Sequence, residues 1–288
     1  MWIYMRIDEC QDSLMDTLKF LFLADSNQDR REKLESMLKK ESILFQRIEK
    51  AEGSEISGEL SGIKENSASD SKEEPVNILA GKLNPDASTV LLCAHYDVFT
   101  KSSGANDNLS SCAILFHLLK RHPETILVCF TDQEETGHGG ARLLLEWLKK
   151  HAVESIIVLD TCGYGNVAAY RIASGRFCRR FRKMTALKMK KKYRLHPFFA
   201  LPESDDRILA SSGFPVMLLS VMPESDVLAL EALSNAYGIL MNYASSYELT
   251  LANLDVMGTI HGGAGDRIES IQLESMQNVL NHLEETLF

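Results

Sequence analysis

The chain has 288 residues, 45% of them hydrophobic, with a formal net charge of −9. That length holds one large α/β domain or two small ones, and the apolar fraction supports a sizeable core. The acidic balance argues against nucleic acid as the main partner, no apolar run reaches the roughly 18 residues of a membrane span, and the six cysteines lack the spacing of a zinc finger or disulfide framework.

The first 50 residues read as helix, because Leu18, Phe20, Leu21, Leu23, Leu34, Met37 and Leu38 recur at helical spacing. Asp16 and Lys19 interrupt the apolar stretch near the N-terminus, so a cleaved signal peptide is not expected and the cytoplasm is the expected compartment. Residues 51–74 are rich in Gly, Ser, Glu and Lys without apolar period, which predicts a mobile loop. From Pro75 onward, short runs rich in Val, Ile and Leu read as buried strands at 76–83, 88–97, 125–132, 155–160 and 214–221. Amphipathic stretches at 108–122, 140–152 and 270–288 read as helices between and after them.

Two segments stand apart. Eleven of the 31 Lys and Arg residues lie between Arg171 and Arg194; within 176–194, Phe177, Phe181, Met184 and Leu187 form one apolar face, which predicts a basic surface helix. Residues 223–258 read as a helical insert, with Val227, Leu230, Leu233, Tyr237, Leu240 and Met241 on one face and Ser225 as N-cap. It is expected either to line the mouth of a site or to thicken the domain. Strands alternating with helices imply βαβ crossovers and a parallel sheet covered on both faces. The expected fold is a single α/β domain over 1–288, a three-layer α/β/α arrangement with a mostly parallel mixed central sheet flanked by helices.

Four motifs follow strand ends, on the edge where open α/β sheets bind ligands. They are His95-Tyr96-Asp97, the Gly104–Asn108 run containing Asp107, Glu134-Glu135-Thr136-Gly137, and Asp160. Asp107 and Glu135 are 28 residues apart, and Glu135 and Asp160 are 25 apart. Each interval is about one crossover, so the three carboxylates return to one rim. Taken singly, each has an ordinary reading: His95 as a rim histidine, Asp107 as a helix N-cap, Glu134 and Glu135 as solvated acids favoured by a helix dipole, Asp160 as a turn residue. Together they would repel one another without a cation. Two Zn²⁺ ions balance three carboxylates, two neutral imidazoles and a bridging hydroxide.

In order, HYD, GANDN, EETG, VLDTCGYG, SDDRILASSGFP and TIHGG resemble the zinc-dependent exopeptidase superfamily. The resemblance runs from about Asn77 to the C-terminus and points to the branch of bacterial two-zinc aminopeptidases, glutamate carboxypeptidase II and glutaminyl cyclases. It implies a metallopeptidase acting on a peptide or small amide. One zinc would be held by His95, Asp107 and Asp160, the other by Asp107, Glu135 and His261. Glu134 would be the general base for a zinc-bridged hydroxide, and Asp97 would orient His95. An aminopeptidase is the expected activity. A cyclase, carboxypeptidase or deacylase on the same fold is the alternative, and a non-catalytic binding protein a further one. The chain departs from the branch where Asp206 replaces a histidine after Ser204-Asp205, where Asp266 lies one residue later after His261 than usual, and in the length of 223–258.

Overall fold

The computed structural model describes residues 13–50, 73–186, 195–197, 201, 203–240, 249 and 251–288. Among these, eight strands form one sheet: β1 (Phe45–Ile48), β2 (Asn77–Gly81), β3 (Val90–His95), β4 (Leu127–Thr131), β5 (Ser155–Leu159), β6 (Val167–Ile172), β7 (Leu195–Pro197) and β8 (Val216–Met222), in the spatial order β1-β2-β4-β3-β5-β8-β6-β7. The central run β4-β3-β5-β8 is parallel, while β1, β2 and the β6–β8 pairing are antiparallel. The mixed sheet expected from the sequence is thus present.

Side chains alternate across the sheet, as the two-residue period of a strand requires. Along β3, Val90, Leu92 and Ala94 feed one core while Leu91 and Cys93 feed the other, and β4, β5 and β8 alternate likewise. The first core is closed by α1 (Leu14–Phe22), α2 (Asn27–Lys40), α3 (Ser110–Arg121), α5 (Arg179–Ala186) and α8 (Leu273–Leu287). The second is closed by α4 (Gly139–Leu148), α6 (Asp205–Leu209) and α7 (Glu224–Leu240). Both faces of the central strands are covered, which is why those strands read as unbroken apolar runs. The connection from β3 through α3 leads to β4 on one side. The connection from β4 through α4 returns across β3 to β5, with its helix on the opposite face. A crevice opens at such a reversal, beyond the C-terminal strand ends.

The structure corrects several expectations. The helix read over the first 50 residues is two helices followed by β1, which pairs with β2 from Phe45↔Ala80 to Ile48↔Asn77. Its four residues are too few to show a period on their own. β6 and β7 were also unread, since β6 carries Tyr170 and Arg171 amid its apolar residues. In the basic segment, Phe181 and Met184 are buried but Phe177 is 46% exposed, and residues from Leu187 to Arg194 lie outside those described. The expected mobile loop lies outside them too, apart from Glu73 and Glu74. Helix α7 begins at Glu224 rather than after Ser225, whose Oγ donates instead to Asp255 Oδ2 at 3.1 Å. Its described face, with Val227 and Leu230, packs on the sheet.

Asp206, at the place of the missing histidine, turns inward. Its carboxylate is fully buried and takes two hydrogen bonds from Arg171 of β6, at 2.9 and 2.8 Å, while Arg171 also donates to the Leu201 carbonyl. This fork fixes α6 against the sheet. Arg171→Met should cost about 3–5 kcal/mol, because it strands a buried carboxylate. Urea unfolding measures it, and a loss under about 1 kcal/mol would show the pair to be dispensable.

Candidate metal centre

His95 is the last residue of β3, Glu134 and Glu135 lie three and four residues beyond the end of β4, and Asp160 directly follows β5. Asp107 stands in the turn Ala105–Leu109 ahead of α3 with non-helical backbone angles, and Leu109 rather than Asp107 occupies the N-cap of α3. His261 comes from the turn after Val256–Thr259 and is held at φ 50°, a left-handed conformation that is uncommon outside glycine. Phe99 stacks on its ring with centroids 4.6 Å apart.

The five side chains meet. Asp107 faces both histidines, Oδ1 lying 3.0 Å from His95 Nε2 and Oδ2 3.2 Å from His261 Nε2. Glu135 Oε2 is 3.2 Å from His261 Nε2, and Asp160 Oδ1 is 3.9 Å from His95 Nε2. Two trios, His95–Asp107–Asp160 and Asp107–Glu135–His261, each bring one potential ligand atom per residue within 4.8 Å of the others. They are the trios that the sequence resemblance implied.

The electrostatics call for positive charge. Burial, reinforced by Asp107, raises the pKa of both Glu135 and Asp160. Burial also opposes charge on His95, yet Glu134, Asp107, Asp160 and Asp97 outweigh it and hold its pKa well above the usual value. Hydrogen bonding to Asp107 and Glu135 raises His261 to about 10. Asp107 resists its own burial and stays below the ordinary carboxylate range because both imidazoles face it. His95 Nε2, Glu135 Oε1 and Asp160 Oδ1 are buried without a hydrogen-bond partner. Buried polar atoms are rarely left so, and carboxylates with imidazole are the donor set of zinc. The residues fit a metal.

Four polar side chains hold this arrangement. Asp97 has its Oδ1 3.4 Å from His95 Nδ1 and also accepts from the backbone N–H of Glu134 and of Glu135, each at 3.0 Å. It therefore clamps the carboxylate pair as well as backing the histidine. Asn106 donates to Thr259 Oγ1 and accepts from Gly163 N–H, both at 2.8 Å, linking the Asp107 turn to the His261 and Asp160 loops. Asp266 accepts from Gly262 N–H and Ser102 Oγ, each at 2.6 Å, which joins the His261 turn to the loop before Asp107. His138, four residues after Glu134, approaches that glutamate to 3.4 Å. Asn106, Asp266 and His138 were not singled out as site residues from the sequence. Only the histidine at the start of a helix, close behind a paired glutamate, offered a signal.

Gly140 shapes the same rim: a Cβ there would stand 2.4 Å from the Asp132 carbonyl oxygen and 2.4 Å from Asn77 Oδ1. Glycine thus lets α4 start against the end of β4, keeping the intervening Glu134–Glu135 turn tight. Asp97→Ala should weaken zinc binding by about 10- to 100-fold, the usual effect of removing such a supporting carboxylate. Chelator competition measures this, and an unchanged affinity would leave Asp97 no part in holding the ligands.

Known proteins share this architecture. A Legionella pneumophila aminopeptidase, LapA, superposes with TM-score 0.63 at 13% identity over 96% of this chain and 72% of its own. A Porphyromonas gingivalis glutaminyl cyclase gives 0.64 at 15% over 96% and 97%, and a Zn-dependent exopeptidase from Parabacteroides distasonis 0.62 at 15% over 96% and 97%. At these identities the likeness is one of fold. A vacuolar membrane protease from Vanderwaltozyma polyspora is 38% identical over 90 residues, 30% of this chain and only 10% of that protein. No helix among the described residues is long and apolar enough to cross a membrane. The model of peptidase family M28 matches residues 77–285, and the chain belongs to that family.

Proposed function

We propose that the enzyme is a two-zinc aminopeptidase that removes aliphatic residues from the N-terminus of peptides. The observation that carries this is Asp107, whose two oxygens address two different histidines, the disposition of a carboxylate that bridges two cations. His95, Asp107 and Asp160 would hold one ion, and Asp107, Glu135 and His261 the other. When bound, zinc supplies Lewis acidity toward the scissile carbonyl and acidifies the attacking water.

Glu134 is the base in this reading. It lines the cavity beside the metal trios, and burial raises its carboxyl pKa far above the ordinary value. Its carboxylate takes a proton from the attacking water and returns it to the leaving nitrogen, so one residue serves both halves of the reaction. The cavity measures about 100 Å³, room for a single side chain, and its apolar wall is Leu201, Leu218, Met222, Val256, Met257 and Ile260. Carboxylates at its floor suit a free α-amino group. Among the described residues that line it none is Lys or Arg, which favours an aminopeptidase over a carboxypeptidase needing to neutralise a terminal carboxylate. All five described cysteines are free, in keeping with a reducing compartment such as the cytoplasm.

The insert contributes through its returning end rather than its helix. Asp226 on α7 accepts from the N–H groups of Asp255 and Val256 at 2.9 and 2.8 Å, fixing the turn that puts Val256 and Met257 in the cavity wall. That wall would select the substrate's first side chain.

Glu134→Gln should retain zinc while kcat falls by about 10²- to 10⁴-fold, the usual contribution of a positioned base. Metal analysis with steady-state kinetics on leucyl amides checks this, and kcat within about tenfold of wild type would remove Glu134 from the role. Acetylating the substrate's amino terminus should abolish turnover; equal rates on blocked substrates, or cyclisation of N-terminal glutamine without peptide cleavage, would overturn the aminopeptidase reading. Met257→Ala should shift kcat/KM from leucyl toward phenylalanyl substrates by about tenfold or more, as expected for added space in an apolar pocket. An unaltered ranking in the zinc-replete variant would take the insert out of specificity.

A further inference from the structure

His138 opens α4 at φ 58°, in the left-handed region, and its side chain makes no capping bond to its own helix. The ring serves a different pair of partners. Its Nδ1 lies 3.1 Å from Asp205 Oδ1, within hydrogen-bond geometry, and 3.4 Å from Glu134 Oε1. The Asp205 oxygen is an acceptor in hydrogen-bond geometry to Nδ1, so this nitrogen is the one that carries the hydrogen.

Asp205 is anchored from behind. It is 1% exposed, and its Oδ2 accepts from Thr131 Oγ1 at 2.6 Å. Thr131 ends β4 and pairs in register with His95 of β3. A continuous connection therefore runs from the end of the sheet through Asp205 and His138 to Glu134. The atoms of Glu134, His138 and Asp205 also lie close enough to hold a cation. Both oxygens of Asp205 are already taken by Thr131 and His138, so a hydrogen on Nδ1 accounts for the cluster without one.

We propose that His138, aimed by Asp205, is a positioning residue that shares its single Nδ1 hydrogen between Asp205 Oδ1, the nearer acceptor, and Glu134 Oε1, and so holds the base at the edge of the cavity. A glutamate has three rotatable bonds, and a fixed donor on one oxygen restricts where the other can point. The inference rests on Glu134 acting as the base, and misplacing such a group by about 1 Å can cost about 100-fold in rate.

The test compares His138→Leu and His138→Asn in the full, zinc-loaded chain. Leucine removes the donor, whereas asparagine keeps one and tolerates the left-handed backbone. The Leu variant should lose about 10- to 100-fold in kcat with KM and bound zinc unchanged, and the Asn variant should recover most of it. In a Glu134→Gln background, His138→Leu should bring no further loss, since the two residues act as one unit. Equal behaviour of the Leu and Asn variants, additive losses in the double variant, or zinc released by either substitution would overturn the proposal. Nitrogen-15 spectra of the imidazoles separate this from the reading it rests on. A hydrogen on His138 Nδ1 whose resonance moves in Glu134→Gln supports the contact whatever substrate the enzyme takes, and a bare Nδ1, or one unmoved by that substitution, refutes it even in an active enzyme. No peptidase activity with the contact intact would overturn the aminopeptidase reading alone.

Discussion

Repulsion among three buried carboxylates is the constraint around which the rest of the molecule is arranged. Asp107, Glu135 and Asp160 converge with only His95 and His261 between them. Burial and mutual proximity push Glu135 and Asp160 toward their neutral forms, while both histidines are drawn toward their charged ones. A site in this condition is unfavourable for an apo protein and favourable for one that binds cations, which turn the same repulsion into affinity. The unpartnered buried atoms of His95, Glu135 and Asp160 express the same demand in hydrogen bonds.

Such a cluster persists only if the backbone beneath it is rigid, and here the rigidity has two sources. The parallel strands β3, β4 and β5, packed on both faces, deliver His95, the glutamate pair and Asp160 from adjacent positions on one edge. The loops that carry the remaining ligands are tied by side chains that do not themselves bind metal in the proposed centre. Asp97 holds the glutamate pair from below, Asn106 joins three loops, and Asp266 joins the His261 turn to the chain ahead of Asp107. Asp266 does this from one residue beyond its usual place, because the Gly262–Gly265 stretch turns it back onto Gly262 N–H.

The two departures nearest the cavity also acquire physical meanings. Asp206, in place of a histidine, leaves the substrate side altogether and makes a buried fork with Arg171. Its neighbour Asp205 keeps to the site and supports His138. The long insert first packs α7 on the sheet, then returns through the Asp226 clamp to add Val256 and Met257 to the cavity wall. The described apolar face of the helix thus thickens the domain, and only the segment's returning end reaches the cavity.

Much of this was legible in the sequence because it is periodic or local. Apolar runs of strand length, separated by single crossovers, specify the α/β layers, and they set the spacing of Asp107, Glu135 and Asp160, since every crossover brings the chain back to the same edge. Motif order added His95 and His261. Short or interrupted elements were not legible: β1 has only four residues, and β6 carries an arginine whose partner, Asp206, lies 35 positions away. Nor were the ties of Asn106 to Thr259, Asp266 to Ser102 and His138 to Asp205, which join residues 153, 164 and 67 positions apart. A hydrogen bond of that range leaves no local pattern, because either partner alone is an ordinary polar side chain in a loop. The sequence by itself determined the layers, through periodicity and spacing, and the candidate ligands, through those spacings together with the resemblance of its motifs. Which polar residues hold those side chains, which apolar wall lines the cavity and what stands beside Glu134 were decided only when distant loops met at one rim.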